Sequence, residues 1–207
     1  MNLNISLDSY LELEKIAEKA FSPLRGFMTE EDFISVVERM RLNNGKLFPL
    51  PVLLPVSLKI KKKIDLNKKV FLKYRNVIVG EIIVKSIFTV HFKTFIKQLF
   101  GTRDLKHPGY ISLLKNGKHF IGGPVTLIKK VNYKYSDYSL SPYKVKEIIK
   151  KQKLNTVAGF QTRNVPHKAH EYILTSALKE VDGLFIHPLI GKKKKGDFLP
   201  NAIIKSY

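Results

Sequence analysis

The chain has 207 residues, no cysteine, and 37 Lys and Arg against 17 Asp and Glu, which gives a formal net charge of +20. The absence of cysteine excludes a disulfide framework, a thiolate zinc site and a cysteine nucleophile. With 44% hydrophobic residues the chain can bury the core of one large domain or two small ones. Its positive potential attracts anions, and nucleic acid, ATP and sulfate all qualify.

The amino-terminal segment MNLNISLDSYLELEKI lacks the basic region of a signal sequence. No apolar run approaches the roughly 18 residues of a membrane span. We therefore expect a cytoplasmic protein without a membrane partner. The lysines are spread along the chain, and no RNP-like aromatic platform, zinc finger or glycine-rich RNA clamp accompanies them. A nucleic-acid partner is accordingly not expected.

Two helices are predicted at the start, SYLELEKIAEKAF and TEEDFISVVERM. The second has Thr29 as its N-cap and acidic residues in its first turn. Between them lies FSPLRGFM, where Pro23 and Gly26 predict a shaped loop of the kind that positions functional groups.

The next part of the chain, from Pro51 to about Val90, predicts a small β-rich domain, because it is rich in Val, Ile and Phe and interrupted by Pro, Asn and Gly. A helix ending at Gly101 follows, then a turn-rich connection and a further pair of strands. The segments are PVLLPVSLKI, KKVFLKYRN and VIVGEIIVKSI for the strands, HFKTFIKQLFG for the helix, FGTRDLKHPGYISLL for the connection and HFIGGPVTLIKK for the strand pair.

The last third of the chain has a different pattern. The segment SPYKVKEIIKKQK predicts a helix with Ser141 as its N-cap and Pro142 in its first turn. A buried strand, a polar loop, an amphipathic helix and a second buried strand then follow, which is the order of a βαβ unit with parallel strands. These elements are TVAGF, QTRN, HKAHEYILTSALKEV and GLFIHPLIG, before LPNAIIKSY begins another helix.

The turn at residues 161–170 carries the main candidate site. Ligands of parallel sheets bind beyond the carboxyl ends of the strands, where helix N-termini attract anions. His167 and His170 lie one helical turn apart and share a face, while Arg163 offers a planar fork to an oxyanion. Gln161 and Asn164 add neutral donors. The pattern predicts a phosphate-binding turn.

Each of these side chains also has an ordinary interpretation. Either histidine alone is more often a capping or surface residue, and Arg163 alone is more often solvated. The joint pattern Q-x-R-N-x-x-H-x-x-H, between a buried strand and a helix, favours a site. Zinc is the weaker interpretation because a pair of histidines three residues apart, without a third protein ligand, seldom holds zinc. We therefore predict no metal-ligating residues.

The segment GFQTRNVPHKAHEYI resembles the nucleotide-binding motif of the ATP sulfurylase (sulfate adenylyltransferase) family, within the HxGH-type nucleotidyltransferases. Three further segments resemble motifs of the same family in the same order. The resemblance implies an α+β fold: a PUA-like β-barrel domain at residues 1–145, then an incomplete α/β Rossmann-like nucleotidyltransferase domain at residues 146–207. The three further segments are FSPLRGFMTEEDFISVVERMRLNNG, FGTRDLKHPGY and HPLIGKKKKGDF.

The resemblance also implies an activity and roles for residues. The family converts ATP and sulfate to adenosine 5′-phosphosulfate and pyrophosphate, with Mg²⁺ carried on the ATP. Carried over to this sequence, Gln161 and Arg163 bind sulfate, and the catalytic residues are Arg163, Asn164 and His167. The implied nucleotide-binding residues are Gln161, Thr162, Asn164, His167 and His170.

The sequence departs from the family pattern in four places. Val165-Pro166 reverses a commoner order, and Ala169 replaces the glycine of HxGH. Both changes keep the turn and the helix. Residues 192–195 form a lysine run that either is a solvated surface or draws anions to the site. The family's second catalytic loop, of the Gly-Arg-Asp-His-Ala-Gly type, is absent.

Several alternatives remain open at this point. One is an adenylyltransferase with another acceptor, and another is a PUA-like RNA-binding module with a vestigial catalytic half. Because the second catalytic loop is absent, we expect the catalytic domain to be completed by a missing C-terminal half, by a separate chain or by a second copy. We expect the 207-residue chain alone to have little activity.

Overall fold

In the computed structural model, which describes residues 1–191 and 195–207, the chain forms two units, Met1–Pro142 and Tyr143–Tyr207. Residues 192–194, which make up most of the lysine run, lie outside the described residues. None of the described helices is long and apolar enough to span a membrane. Each unit is described separately below.

The first unit is built on a seven-stranded sheet in which one long strand, β7, is the hub. Strand β7 pairs antiparallel with β2, β3, β5 and β6, while β4 pairs antiparallel with β5 and parallel with β1. The strands are β1 (Asn2–Asn4), β2 (Gly26–Phe27), β3 (Leu54–Val56), β4 (Lys69–Tyr74), β5 (Val77–Ile83), β6 (Ser86–Thr89) and β7 (His119–Leu127).

Local sequence explains the central hairpin of this sheet. Val70, Leu72 and Tyr74 alternate with more exposed residues along β4, as expected for a strand with one buried face. Arg75 and Asn76 both have positive φ angles, 47° and 64°, between β4 and β5. Two such residues form the turn that suits the twist of a two-residue hairpin.

Five helices flank the sheet, and their ends follow the expected capping rules. The hydroxyl of Thr29 accepts a hydrogen bond from the Asp32 N–H, which confirms the predicted N-cap of α2. Gly101 ends α4 with a φ of 69°, which confirms the predicted stop. The helices are α1 (Leu7–Ala17), α2 (Glu30–Arg39), α3 (Leu58–Lys61), α4 (Phe92–Phe100) and α5 (Pro108–Lys115).

The core of the first unit has two clusters. The larger one packs α1 against the sheet, where the Tyr10 ring stacks on Tyr74 at a centroid distance of 4.9 Å. The Tyr10 hydroxyl accepts a hydrogen bond from the Val131 N–H at 2.9 Å and donates one to Glu14 at 2.6 Å. The smaller cluster is aromatic and joins α2 and α4 to β6 and β7 around Phe33.

The structure corrects several sequence expectations in this unit. The strand predicted up to Ile60 ends at Val56, because the Ser57 hydroxyl accepts from the Ile60 N–H and starts the short helix α3. The predicted turn-rich connection contains α5, which Pro108 and a His107 cap initiate. The strand pair predicted around HFIGGPVTLIKK is the single strand β7. Strands β1 and β2 were not predicted.

Glycine keeps β7 continuous where a break was expected. Gly123 has a φ of 149°, which side chains rarely adopt, and a Cβ there would lie 2.0 Å from the Ile83 carbonyl oxygen. A Cβ on Gly26 would lie 1.9 Å from the Gly123 carbonyl oxygen. The two glycines therefore allow β2, β5 and β7 to pass closely.

The second unit contains a two-stranded parallel sheet, which confirms the predicted βαβ order. The strands pair from Val157↔Gly183 to Thr162↔Pro188, with one helix between them in sequence. The Asp182 carboxylate accepts from the N–H groups of Thr156 and Asn155, and these bonds lower its pKa. The elements are α6 (Pro142–Lys151), β8 (Val157–Thr162), α7 (Lys168–Ala177), β9 (Gly183–Pro188) and α8 (Pro200–Ser206).

Candidate functional site

The predicted phosphate-binding turn connects the carboxyl end of β8 to α7. Gln161 and Thr162 belong to β8 rather than to the loop in which they were expected. Thr162 is buried, and its hydroxyl accepts from the Asn164 N–H at 3.2 Å. Its carbonyl accepts from the Leu189 N–H at 2.7 Å, just beyond β9. Thr162 therefore fixes the point at which the chain leaves the sheet, while Gln161 and Asn164 are exposed.

Arg163 is held by an acidic residue from the segment after β9. Its Nη2 donates to Oδ2 of Asp197 at 2.5 Å. The side chain of Arg163 is 41% exposed and that of Asp197 is 18% exposed, so the guanidinium keeps a surface that a ligand can reach. Sequence reasoning did not select Asp197. The signal was present, since only Gly196 separates this carboxylate from a run of lysines.

The two histidines of the pattern lie against each other. Their ring centroids are 3.8 Å apart with an interplanar angle of 24°. The His170 ring also meets the edge of Phe160 on β8, at a centroid distance of 5.2 Å. The predicted sharing of one helix face is therefore confirmed, and Phe160 fixes the orientation of the pair.

Capping does not explain these histidines. His167 occupies the N-cap position of α7, but its side chain makes no capping hydrogen bond. Nδ1 of His170 is buried and has no hydrogen-bond partner among residues 1–191 and 195–207. Buried polar atoms are normally satisfied. Nδ1 of His170 is therefore an exception to this rule among the described residues.

His187 is a second residue that sequence reasoning missed. It lies on β9 directly across from Gln161 in the parallel register. Paired residues of neighbouring strands project from the same face of a sheet, so these two side chains belong to one surface. Its position in the sequence could have indicated this role, because His187 lies near the end of the apolar run GLFIHPLIG, at the carboxyl end of the second strand.

The arrangement suits an anionic ligand better than a bare metal ion. It offers a guanidinium, two amide side chains and two imidazoles beside the N-terminus of α7, which adds a positive dipole end. Within the described part of the chain, no group of three His, Asp or Glu residues is placed to hold a metal ion. A Mg²⁺ ion that is carried on substrate phosphates needs few protein ligands of its own.

Two family models match this chain. Residues 1–130 match the family model described as PUA-like domain, and residues 136–207 match the one described as ATP-sulfurylase. The first match covers more than half of the chain, which is thus a PUA-like domain protein with a further segment behind that domain.

Curated relatives give a more specific similarity. The chain is 38% identical to a sulfate adenylyltransferase of Thermococcus onnurineus over 95% of its length and 51% of the relative. It is 37% identical to one of Pyrococcus abyssi over the same shares, and 35% identical to one of Aeropyrum pernix over 99% and 54%. Nearly the whole chain is thus similar in sequence to sulfate adenylyltransferases, and it spans about half the length of these relatives.

A solved structure supports the fold. The chain matches a structure described as a hexameric APS kinase from Thiobacillus denitrificans with a TM-score of 0.75, at 16% identity. The match covers 99% of this chain and 37% of that chain. At this identity the likeness concerns the fold alone.

Proposed function

We propose that this chain is the site-bearing part of a sulfate adenylyltransferase, which converts ATP and sulfate to adenosine 5′-phosphosulfate and pyrophosphate. The observation that carries the proposal is the turn at residues 161–170. There the stacked His167 and His170, one with an unpaired ring nitrogen, follow Arg163 and Asn164 at the end of a parallel strand. The names of the relatives support the same reaction.

The proposed domains follow the family resemblance. Residues 1–145 form the PUA-like domain, and residues 146–207 form the first part of a Rossmann-like nucleotidyltransferase domain. The parallel pair β8 and β9, with α7 between them in sequence, supports the second assignment. In open parallel sheets a ligand lies beyond the carboxyl ends of the strands, which is where the turn begins.

The proposed roles divide the site between its two substrates. Gln161 and Arg163 bind sulfate, since a planar fork and an amide donor match a tetrahedral oxyanion. Asn164, His167 and His170 contact the phosphates of ATP, and the buried Thr162 holds the turn in place.

The proposed chemistry is a direct displacement. A sulfate oxygen forms a bond to the α-phosphorus of ATP, the bond from that phosphorus to the bridging oxygen breaks, and pyrophosphate leaves. Mg²⁺ enters on ATP and offsets phosphate charge. The protein aligns two anions that repel each other and stabilises the charge that grows in the transition state. Arg163, Asn164 and His167 supply this stabilisation.

Asp197 is proposed as a positioning residue. Its carboxylate binds one nitrogen of the guanidinium and leaves the other donors of that group for a ligand. The ion pair restricts the rotamers of Arg163 before sulfate arrives, and a preorganised side chain loses less entropy on binding. Asp197→Asn, which keeps the shape and weakens the pair, is therefore expected to raise the KM for sulfate more than it lowers kcat.

The site is proposed to need a further polypeptide, corresponding to the second half of the relatives. The chain spans about half of their length. In addition, Tyr172 and Ile173 of α7 are 74% and 51% exposed, and Phe185 of β9 is 38% exposed. Parallel strands are usually covered on both faces, so these apolar side chains are suited to contact with protein.

The direct test measures pyrophosphate release from Mg-ATP. The 207-residue chain is assayed alone, then together with a polypeptide that corresponds to the second half of a relative. We expect sulfate-dependent release from the combined proteins and little from the chain alone. If pyrophosphate release by the combined proteins does not depend on sulfate, the assignment of sulfate as the acceptor is wrong. Robust sulfate-dependent release by the chain alone would contradict the need for a second half.

A further inference from the structure

A polar cluster lies at one end of the sheet in the first unit, far along the chain from the turn at residues 161–170. Strands β3 and β6 both pair with β7 at His119, which lies opposite Val56 and Thr89. Helix α3 follows β3 and carries Lys61. Three chain segments that are distant in sequence thus bring a lysine, a threonine and a histidine to one place.

Hydrogen bonds connect the three side chains in a row. Nζ of Lys61 lies 2.6 Å from the Thr89 hydroxyl oxygen, and that oxygen lies 2.9 Å from Nδ1 of His119. An ammonium group can only donate, so the hydroxyl accepts from Lys61, and the tautomer of His119 decides whether the hydroxyl donates to Nδ1 or accepts from it. Two N–H bonds of Lys61 remain as oriented donors. His119 adds an Nε2–H donor in the tautomer in which the hydroxyl donates to Nδ1.

The surroundings of this row are positively charged. Burial lowers the pKa of His119, and the charges of Lys61, Lys118 and His91 lower it further. Lys61 forms no ion pair with any acidic side chain in residues 1–191 and 195–207. His91 and Lys118 also line a neighbouring cleft of about 300 Å³. Among residues 1–191 and 195–207, no ion pair with an acidic side chain involves Lys61, Lys118 or His91.

We propose that this basic cluster, formed by Lys61, Thr89, His91, Lys118 and His119, binds a tetrahedral oxyanion of the phosphate or sulfate class. The remaining N–H donors of Lys61, together with the Nε2–H of His119 in that tautomer, would contact its oxygens, while Lys118 and His91 would add to the positive electrostatic potential. The site is independent of the function proposed above, because its residues all belong to the first unit.

The positions of the donors distinguish this cluster from ordinary surface lysines. A solvated lysine must lose side-chain entropy when it binds an anion. Lys61 is half-buried and already held by the Thr89 hydroxyl, so part of that loss has occurred during folding. Lys63, two residues further on, is exposed and carries the same charge, which makes it the matched control.

The test is an NMR titration of the full chain with inorganic phosphate, at an ionic strength held constant with chloride. The amide signals of Thr89 and His119 and the ring ¹⁵N signals of His119 are followed. We expect saturable shifts for these groups. Lys61→Gln should weaken the fitted affinity about tenfold, and Lys63→Gln should change it less than about twofold.

Thr89→Val gives a second, charge-neutral test. It removes the hydroxyl between Lys61 and His119, so affinity should fall several-fold and the ¹⁵N signals should report a mixture of His119 tautomers. Unchanged amide shifts elsewhere in the spectrum of each variant show that the fold is intact. Repetition with sulfate and with ATP shows whether the free anion or a nucleotide phosphate binds more tightly.

Two outcomes would overturn the proposal. Shifts that grow linearly without saturation, with equal losses in Lys61→Gln and Lys63→Gln, would mean that only general electrostatic attraction acts. Saturable shifts confined to Asn164, His167 and His170 would mean that phosphate binds only the turn in the second unit. The same titration thus separates this proposal from the function proposed above.

Discussion

The two units bury their side chains very differently. In Met1–Pro142, two clusters of buried apolar residues fill the space between the helices and the sheet. Among the described residues of Tyr143–Tyr207, the buried class holds Thr162, Gly183 and Ile203. The first unit therefore has an extensive core, while the second has little core and carries all of the candidate catalytic residues.

Stability and chemistry therefore belong to different parts of the chain. Buried apolar area is the main source of folding free energy, so the first unit should unfold as a cooperative structure. A pair of parallel strands needs neighbours and cover to be stable. The second unit should be the less stable of the two, and ligand or a covering polypeptide should stabilise it.

The largest expected effect is on the chemistry of the second unit. Arg163→Ala should lower sulfate-dependent pyrophosphate release about a thousandfold or more in the combined proteins, because it removes the only arginine of the turn. Arg163→Lys should recover little, since lysine lacks the planar fork. Lys179→Ala, at an exposed position just beyond α7, is the charge-matched control. Near-normal turnover in Arg163→Ala would refute the sulfate assignment.

Truncation of a core residue in the first unit should lower stability, whereas truncation of an exposed residue in the second unit should not. Phe120 is 2% exposed and packs against Phe88 and Phe92 at centroid distances of 5.7 and 5.8 Å. Phe120→Ala should lower the free energy of unfolding of the first unit by about 3–5 kcal/mol in urea titrations. Tyr172→Ala, at a 74% exposed position of α7, should change stability by less than about 0.5 kcal/mol. Similar losses of unfolding free energy in Phe120→Ala and Tyr172→Ala would contradict the difference in core packing between the two units.

The histidines should affect catalysis and leave folding nearly unchanged. His167→Ala and His170→Ala should each weaken transition-state stabilisation by about 3–4 kcal/mol, measured as kcat/KM. Because the two rings stack at 3.8 Å, the double variant should lose less than the sum of the single losses. A variant that unfolds the second unit and keeps its specific activity would assign these residues to structure.

The smallest expected effect is a pH dependence of the first unit. Burial raises the pKa of Glu12 on α1 to about 7 from 4.5, so the folded state binds more protons than the unfolded state between these values. Stability should therefore fall as pH rises through this window. Glu12→Gln should add about 1–3 kcal/mol at pH 8 and almost nothing at pH 4. Glu38→Gln, on the exposed face of α2, is the control. A gain that is equal at both pH values would contradict this assignment.

Features that depend on neighbours in sequence could be predicted. The cap of α2 at Thr29, the stop at Gly101 and the βαβ order of the second unit all follow from local patterns and are present. The spacing of His167 and His170 predicted their shared face because a helix repeats every 3.6 residues. The strand predicted up to Ile60 is an exception, because the Ser57 side chain caps the helix α3 and ends the extended segment at Val56.

Features that depend on distant residues could not be predicted. Arg163 and Asp197 are 34 residues apart, and Lys61 and Thr89 are 28 apart. These contacts arise only when the sheets bring their loops together. Strand β1 also could not be predicted, because three residues are too few to show a periodic pattern. It forms because the edge of β4 is available for parallel pairing.

The turn at residues 161–170 should bind the phosphates of ATP. The most direct measurement is a titration of the ¹⁵N-labelled full chain with Mg-ATP, in which backbone amide shifts are read residue by residue. We predict saturable shifts at Asn164, His167 and His170 that His167→Ala greatly weakens. Saturation of the protein with Mg-ATP without any shift in this turn would contradict the account.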